Sequence, residues 1–205
     1  MTSHKGFDRL AWMYDFLVRI VFGQSIRKAQ VELVRHAQKE RHWLVIGGGT
    51  GWILDEILKH DPIANITYLE ASQKMIDRAK NRSGAGDVHF VLGSVDQIPD
   101  DQSYDLIVTN FFWDMFATDK AILLKSKIEL RLKNEAQWLV ADFKNTDIWW
   151  QRALIKLMYW FFRATCNIEA KQLPDFDRLF TNENEIYKSN FHHGMIESVI
   201  YQKMN

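Results

Sequence analysis

Apolar residues recur at two different spacings along this chain. Between about residues 7 and 38 they fall every three or four positions: Phe7, Leu10, Tyr14, Leu17 and Val18, then Ile26, Ala29, Leu33 and Ala37. That spacing lines one face of a helix, so two helices are expected, with Gly23 as the break between them. From His42 onward the pattern becomes short apolar runs, Trp43–Ile46, Ile66–Leu69, Val88–Leu92, Leu106–Thr109 and Trp138–Ala141. Helical periodicity fills the gaps over Trp52–Lys59, Gln73–Asn81 and Lys120–Leu132, and a long aromatic helix is expected around 148–168. Two further strand candidates, Ile186–His192 and Met195–Gln202, are separated by Gly194. So short a connection suits an antiparallel pair closing one sheet edge. Strands alternating with helices predict an α/β fold, a seven-stranded, mostly parallel sheet with helices on both faces.

The length of 205 residues suits one domain with a full core. Lys plus Arg equals Asp plus Glu at 26 each, so the chain lacks the basic excess of a protein built to grip phosphate backbone. No nucleic-acid partner is expected. The single cysteine, Cys166, excludes an intrachain disulfide and a multi-cysteine metal cluster, and fits a reduced thiol. Met1 to Arg9 is polar and carries Asp8, unlike a signal segment. The greasiest stretch, Ile148 to Thr165, is interrupted by Arg152, Lys156 and Arg163, whereas a membrane span needs about 20 largely uncharged residues. A cytoplasmic enzyme or binding domain is the expected class.

The first predicted strand runs into "VIGGGTGW", which places a glycine-rich turn at a strand's carboxyl end, where open α/β sheets bind ligands. A dinucleotide fingerprint needs Gly-x-Gly-x-x-Gly. Here Gly47, Gly49 and Gly51 are spaced Gly-x-Gly-x-Gly, and Trp52 occupies the third fingerprint position. This favours a smaller, phosphate-free adenosine cofactor and disfavours an NAD-type oxidoreductase. Glu70, ending the second strand, can accept both hydroxyl hydrogens of a ribose, although NAD readers also carry an acid there.

"VIGGGTGW", "YLEASQKMIDRAK", "VHFVLGSVDQIP" and "YDLIVTNFF" together resemble the consecutive signatures of class I S-adenosylmethionine-dependent methyltransferases, nearest to the small-molecule type of quinone biosynthesis. The match covers roughly residues 42 to 143, and "FDRLAWMYDFLVRIVFG" is similar to the helical lid that precedes the sheet in many members. The resemblance implies one domain over 1–205, with a lid over 1–40, a cofactor core over 42–143, a helical insertion over 144–185 and C-terminal strands over 186–205. It implies S-adenosyl-L-methionine as cofactor. Gly47, Gly48, Gly49 and Gly51 would run beneath the methionine portion, and Glu70 would hold the ribose. Ala71, Met75, Ser94 and Val95 would border the adenine, Asn110 would lie near the methionine, and Tyr14 would cover the cofactor from the lid. The chain departs from the family at Val45, where an acid commonly stands, and at Ser94, where an aspartate often meets the adenine amino group; Asp96 is the nearest substitute.

Methyl transfer from a sulfonium needs placement above all, and a base only when the nucleophile still carries a proton. The acceptor pocket is expected above the strand ends, from Phe111, Phe112, Trp113 and Asp114, from Asp142 and Phe143, from Trp149, Trp150 and Tyr159, and from His192 and His193. So many aromatic residues suggest a small aromatic or apolar acceptor. No metal is expected at His192 and His193, because neighbours on a strand face opposite sides. "NFFW" differs from the Asn/Asp-Pro-Pro-aromatic motif of amino-group methyltransferases at both prolines. The helix around 148–168 can serve as a pocket cover, a dimer contact or an interfacial helix touching a membrane surface transiently. A module that binds the cofactor without turnover is the alternative function.

Overall fold

The computed structural model describes residues 22–39, 42–82, 84, 86–166 and 170–204, with the side chains of 164–166 left aside. The helix expected over Phe7–Val18, and with it Tyr14, lies outside the described residues. The elements in chain order are α1 (Ser25–His36), β1 (His42–Ile46), α2 (Trp52–His60), β2 (Asn65–Glu70), α3 (Gln73–Lys80), β3 (Asp87–Leu92), β4 (Tyr104–Val108), α4 (Thr118–Glu129), β5 (Leu132–Phe143), α5 (Trp149–Cys166), α6 (Phe176–Leu179), β6 (Glu183–Phe191) and β7 (Ile196–Lys203). Three short 3-10 turns cover Val95–Gln97, Trp113–Met115 and His192–Gly194.

The seven strands form one sheet in the order β3-β2-β1-β4-β5-β7-β6. β1 to β5 are mutually parallel neighbours, whereas β7 runs antiparallel to both β5 and β6. Both faces are covered, which is why the central strands read as continuous apolar runs. Trp43 and Val45 of β1 join one core cluster with Tyr68, Leu106 and Leu139, while Leu44 and Ile46 join the other with Leu69, Ile107 and Trp138. β1 pairs with β2 on one side and β4 on the other, so the chain reverses its direction of travel across the sheet between them. The crevice at that switch point is where such sheets bind ligands.

Several boundaries differ from the periodicity. β5 begins at Leu132 and not at Trp138, because its first residues, Lys133 to Glu135, are exposed and polar and carry no apolar signal. β6 begins at Glu183, within the stretch expected to be helical insertion; most of it is exposed, as suits an edge strand. α4 covers Thr118–Glu129, two residues earlier than its periodicity, and ends before Leu132. His192 is not in a strand: His192 and His193 both adopt the left-handed region, at φ 49° and 55°, in the turn that joins β6 to β7. The break at Gly23 is present, at φ 54°.

Candidate active site

β1 ends where Gly47 turns the chain, its N–H donating to the Leu69 carbonyl at 2.9 Å. Glycine is required at Gly51 on two grounds. Its φ is +77°, and a Cβ there would lie 2.5 Å from the Ala79 Cβ, so the loop rests directly on α3. Gly48 presses on Tyr68 in the same way, with a Cβ falling 2.5 Å from the ring. Gly49 differs: among the described residues nothing lies within 4 Å of its Cβ position, leaving that side of the loop open to them. The tightest packing of the loop is thus at Gly51. Trp52, at the third fingerprint position, is half-buried, with the Arg27 guanidinium 5.3 Å from its ring centre.

Glu70 closes the loop from the end of β2. One carboxylate oxygen accepts the Gly49 N–H at 3.1 Å and the other accepts the Ser72 N–H at 2.9 Å. Burial pushes this carboxyl above its ordinary value, and the N–H groups of Ser72, Gly49 and Ala71 draw it back. Each oxygen retains a further lone pair, so the carboxylate can still accept from a diol. The Tyr68 hydroxyl donates to the Gly49 carbonyl at 2.9 Å and fixes the other side of the turn; burial, with Glu70 nearby, pushes that phenol far above its usual value, so it stays a neutral donor.

The remaining positions implied by the resemblance surround this loop unevenly. Ala71 is exposed, and Met75 is half-buried where its N–H meets the Ser72 side chain in the cap of α3. Ser94 is exposed and closed onto Gln97 by a capping box, and Val95 is buried. Asp96 is exposed and forms an ion pair with Lys127. Val45 is packed in the core. Asn110 accepts the Ala141 N–H at 3.0 Å and donates to the Gln30 side chain at 3.2 Å, so it ties β4 to β5 and to α1. Phe111 follows it at φ 52°, a left-handed conformation unusual for a phenylalanine.

On the other side of the crevice two acids meet. Asp142, at the end of β5, is buried and accepts the N–H groups of Trp113 and Phe143 at 3.1 and 2.8 Å. Burial and the charge of Asp114 hold its carboxyl well above the carboxylate range. Asp114 is pushed up to about 7 by burial, and its Oδ1 has no hydrogen-bond partner among the described residues. Beside this pair a cavity of about 680 Å³ opens between β5, β7 and α5. Asp142, Phe143, Ile155, Tyr159, Leu173 and Val199 are among its walls. Tyr159 also donates to the Asp114 backbone carbonyl at 2.8 Å, tying α5 to the turn after β4.

Of the expected acceptor residues, then, Asp142, Phe143 and Tyr159 share one cavity. Trp113 does not reach it. Its side chain is sealed in the core, with the indole N–H on Thr109 at 2.9 Å. Phe112 is buried beside it. Trp149 and Trp150 are not walls either, because their side of α5 is turned outward, leaving Trp149 75% exposed. His192 lies outside the cavity, 4.9 Å from the Phe22 ring and 3.5 Å from the Ser25 hydroxyl; burial and His193 lower its pKa. The hairpin turn, and not strand alternation, sets the two histidine rings apart at 5.9 Å. Among the described residues no group of three or more acids, histidines or cysteines could hold a metal. The periodicity missed Gln30, Tyr68, Thr109 and Leu173, which look like ordinary helix, strand and loop residues until the fold brings them to this end of the sheet.

The family described as "methyltransferase domain" matches residues 44–135. A malonyl-[acyl-carrier protein] O-methyltransferase from Halalkalibacterium halodurans is 33% identical over 135 residues, 61% of this chain and 50% of that protein. A demethylmenaquinone methyltransferase from Thermotoga maritima is 33% identical over 131 residues, 62% of this chain and 56% of that protein. The chain spans about half the length of the curated relatives it matches. Among solved structures, the mitomycin 7-O-methyltransferase MmcR has a TM-score of 0.70 at 16% identity, over 97% of this chain and 60% of that one. The N-methyltransferase NodS from Bradyrhizobium japonicum WM9, in complex with S-adenosyl-L-homocysteine, has a TM-score of 0.67 at 12% identity, over 90% and 89%. These two likenesses establish the fold. Residues 44–135 match a methyltransferase domain, and with the glycine loop and Glu70 at the switch point of a sheet of this order the chain is similar to S-adenosylmethionine-dependent methyltransferases.

Proposed function

We propose that this protein transfers the methyl group of S-adenosylmethionine to a small acceptor with an aromatic or apolar body. The observation that carries the reading is Glu70, held by two backbone N–H groups against the open side of the glycine loop. Its free lone pairs suit a ribose diol, and the space over Gly49 suits a ligand lying close on backbone. In this assignment Gly47, Gly48, Gly49 and Gly51 underlie the methionine portion. Ala71, Met75, Ser94 and Val95 border the adenine, and Asn110 and Tyr14 complete the site. The bound cofactor supplies an electrophilic methyl on a sulfonium.

The protein's own part is to orient the acceptor and keep water out. The two relatives are named for different acceptors; the apolar body is suggested by Phe143, Ile155, Leu173 and Val199, which share the cavity wall with charged residues that include Arg152, Lys156, Lys171, Lys188 and Glu197. Asp142 is the buried acid at this wall; burial and the charge of Asp114 hold its carboxyl well above the carboxylate range, so it keeps its proton and its part is to orient the acceptor by hydrogen bonding.

Calorimetry with S-adenosyl-L-homocysteine is the direct test. Binding at micromolar ligand is expected, and no binding at high micromolar concentration would sink the reading. Binding combined with no transfer to any member of a broad panel of small aromatic acceptors would favour a silent cofactor-binding module. Titration with NADH is expected to show no change in its fluorescence.

A further inference from the structure

The outer side of α5 carries a pattern that methyl transfer does not use. Gln151, Ile155 and Tyr159 are buried, with Leu154 and Met158 partly so, and they fix the inner side of the helix. On the outer side Trp149 is 75% exposed, Trp160 69% and Leu157 59%, and Trp150 is 39% exposed at their edge. At about 100° per residue these form one stripe. Arg152, Lys156 and Arg163, all exposed, fall within roughly 40° of one another and form a second stripe directly beside it. The helix contains no acid; the nearest in sequence, Asp147, precedes its first turn. Among the described residues no helix is long and apolar enough to cross a membrane, so this one cannot span a bilayer.

We infer that α5 lies in the headgroup region of an anionic lipid surface, inserting Trp149, Leu157 and Trp160 and placing Arg152, Lys156 and Arg163 against lipid phosphates. Tryptophans beside a cationic stripe, on a helix without acids, match an interfacial helix in both apolar and electrostatic respects. Charge decides against a second copy of the chain as occupant, because two such helices face to face would bring cations against cations. The cavity lies on the cationic flank, since Arg152 and Lys156 are also at its edge. A docked α5 therefore brings the mouth of the cavity to the lipid, where apolar acceptors concentrate. This goes beyond the methyl-transfer reading and stands or falls separately from it.

The test is flotation of the full chain with vesicles of phosphatidylglycerol and phosphatidylcholine, compared with phosphatidylcholine alone. Three cations predict a preference for the anionic vesicles on the order of 100-fold at low salt, largely lost in high salt. The triple variant Trp149→Ser, Leu157→Ser, Trp160→Ser should lose most of that binding while retaining S-adenosyl-L-homocysteine affinity, since none of the three lines the cavity. Equal partition of wild type and a folded triple variant would overturn the inference. So would absence of vesicle binding, or self-association abolished by the same substitutions without any vesicle binding. Should the variant fail to fold, brominated lipid supplies a second readout on the wild type: tryptophan quenching is expected, and unquenched emission overturns the proposal. Cofactor binding that persists when vesicle binding fails would leave the methyltransferase reading intact.

Discussion

The two halves of the sheet build their proposed ligand sites by different means. From β1 to β4 the site is made of backbone: glycine turns, strand-end N–H groups and one carboxylate that those N–H groups fix in place. From β5 to β7 the site is made of side chains supplied by distant segments, with Asp142, Tyr159, Leu173 and Val199 meeting around a cavity. A backbone-built site tolerates little change, because each residue type is required by conformation or close approach. A side-chain-built site can change its walls while its frame persists.

The comparison can be broken most forcefully at Gly51. Gly51→Val puts a branched side chain at a φ of +77° and against Ala79, and should destabilise the fold by about 3 kcal/mol or more. For a chain of this size that is a fall in Tm of roughly 6–12 °C by calorimetry. A neutral result would mean that the loop is not built as described. Glu70→Ala comes next. It removes an acceptor of charged hydrogen bonds, so S-adenosyl-L-homocysteine affinity should drop on the order of 100-fold, about 2.7 kcal/mol, with a smaller effect on Tm. Unchanged affinity in a titration would remove Glu70 from the cofactor site.

The smallest effect tests the other half through pH. The Asp114 carboxyl is raised from about 3.8 in the unfolded chain to about 7 in the folded one. The folded state therefore holds more protons between those values, and stability falls as pH rises through that window. Thermal melts at pH 5 and pH 8 should show a decline of several degrees in the wild type, and Asp114→Asn should flatten it. An undiminished slope in the variant would assign the dependence to Asp142 or to other groups.

What could be read from the chain follows the same division. The strands and loops of the cofactor half were legible because parallel strands buried on both faces are apolar throughout, and because glycine at fixed spacing has a conformational meaning. Glu70 was legible as the acid ending β2. Trp113 was not: an aromatic residue after β4 reads equally as wall or core, and only the Thr109 contact decides for core. The exposed start of β5 and most of β6 were hidden because edge and surface strands lack an apolar run. The close approach of Gly51 to α3 was not legible, since spacing along a loop does not reveal which backbone atom approaches the helix behind it. The seating of Leu173 and Tyr159 at one cavity depends on long-range closure, for which local sequence carries no code.

The Thr109 hydroxyl accepts two indole N–H groups, from Trp113 at 2.9 Å and Trp138 at 2.8 Å. Both of its lone pairs are thereby occupied, and the two rings are locked in one dry environment at the centre of the molecule. Trp149 and Trp160, by contrast, stand in solvent. These two pairs of tryptophans are therefore optically distinct fluorophores, one reporting on the integrity of the sheet and the other on what the surface helix touches.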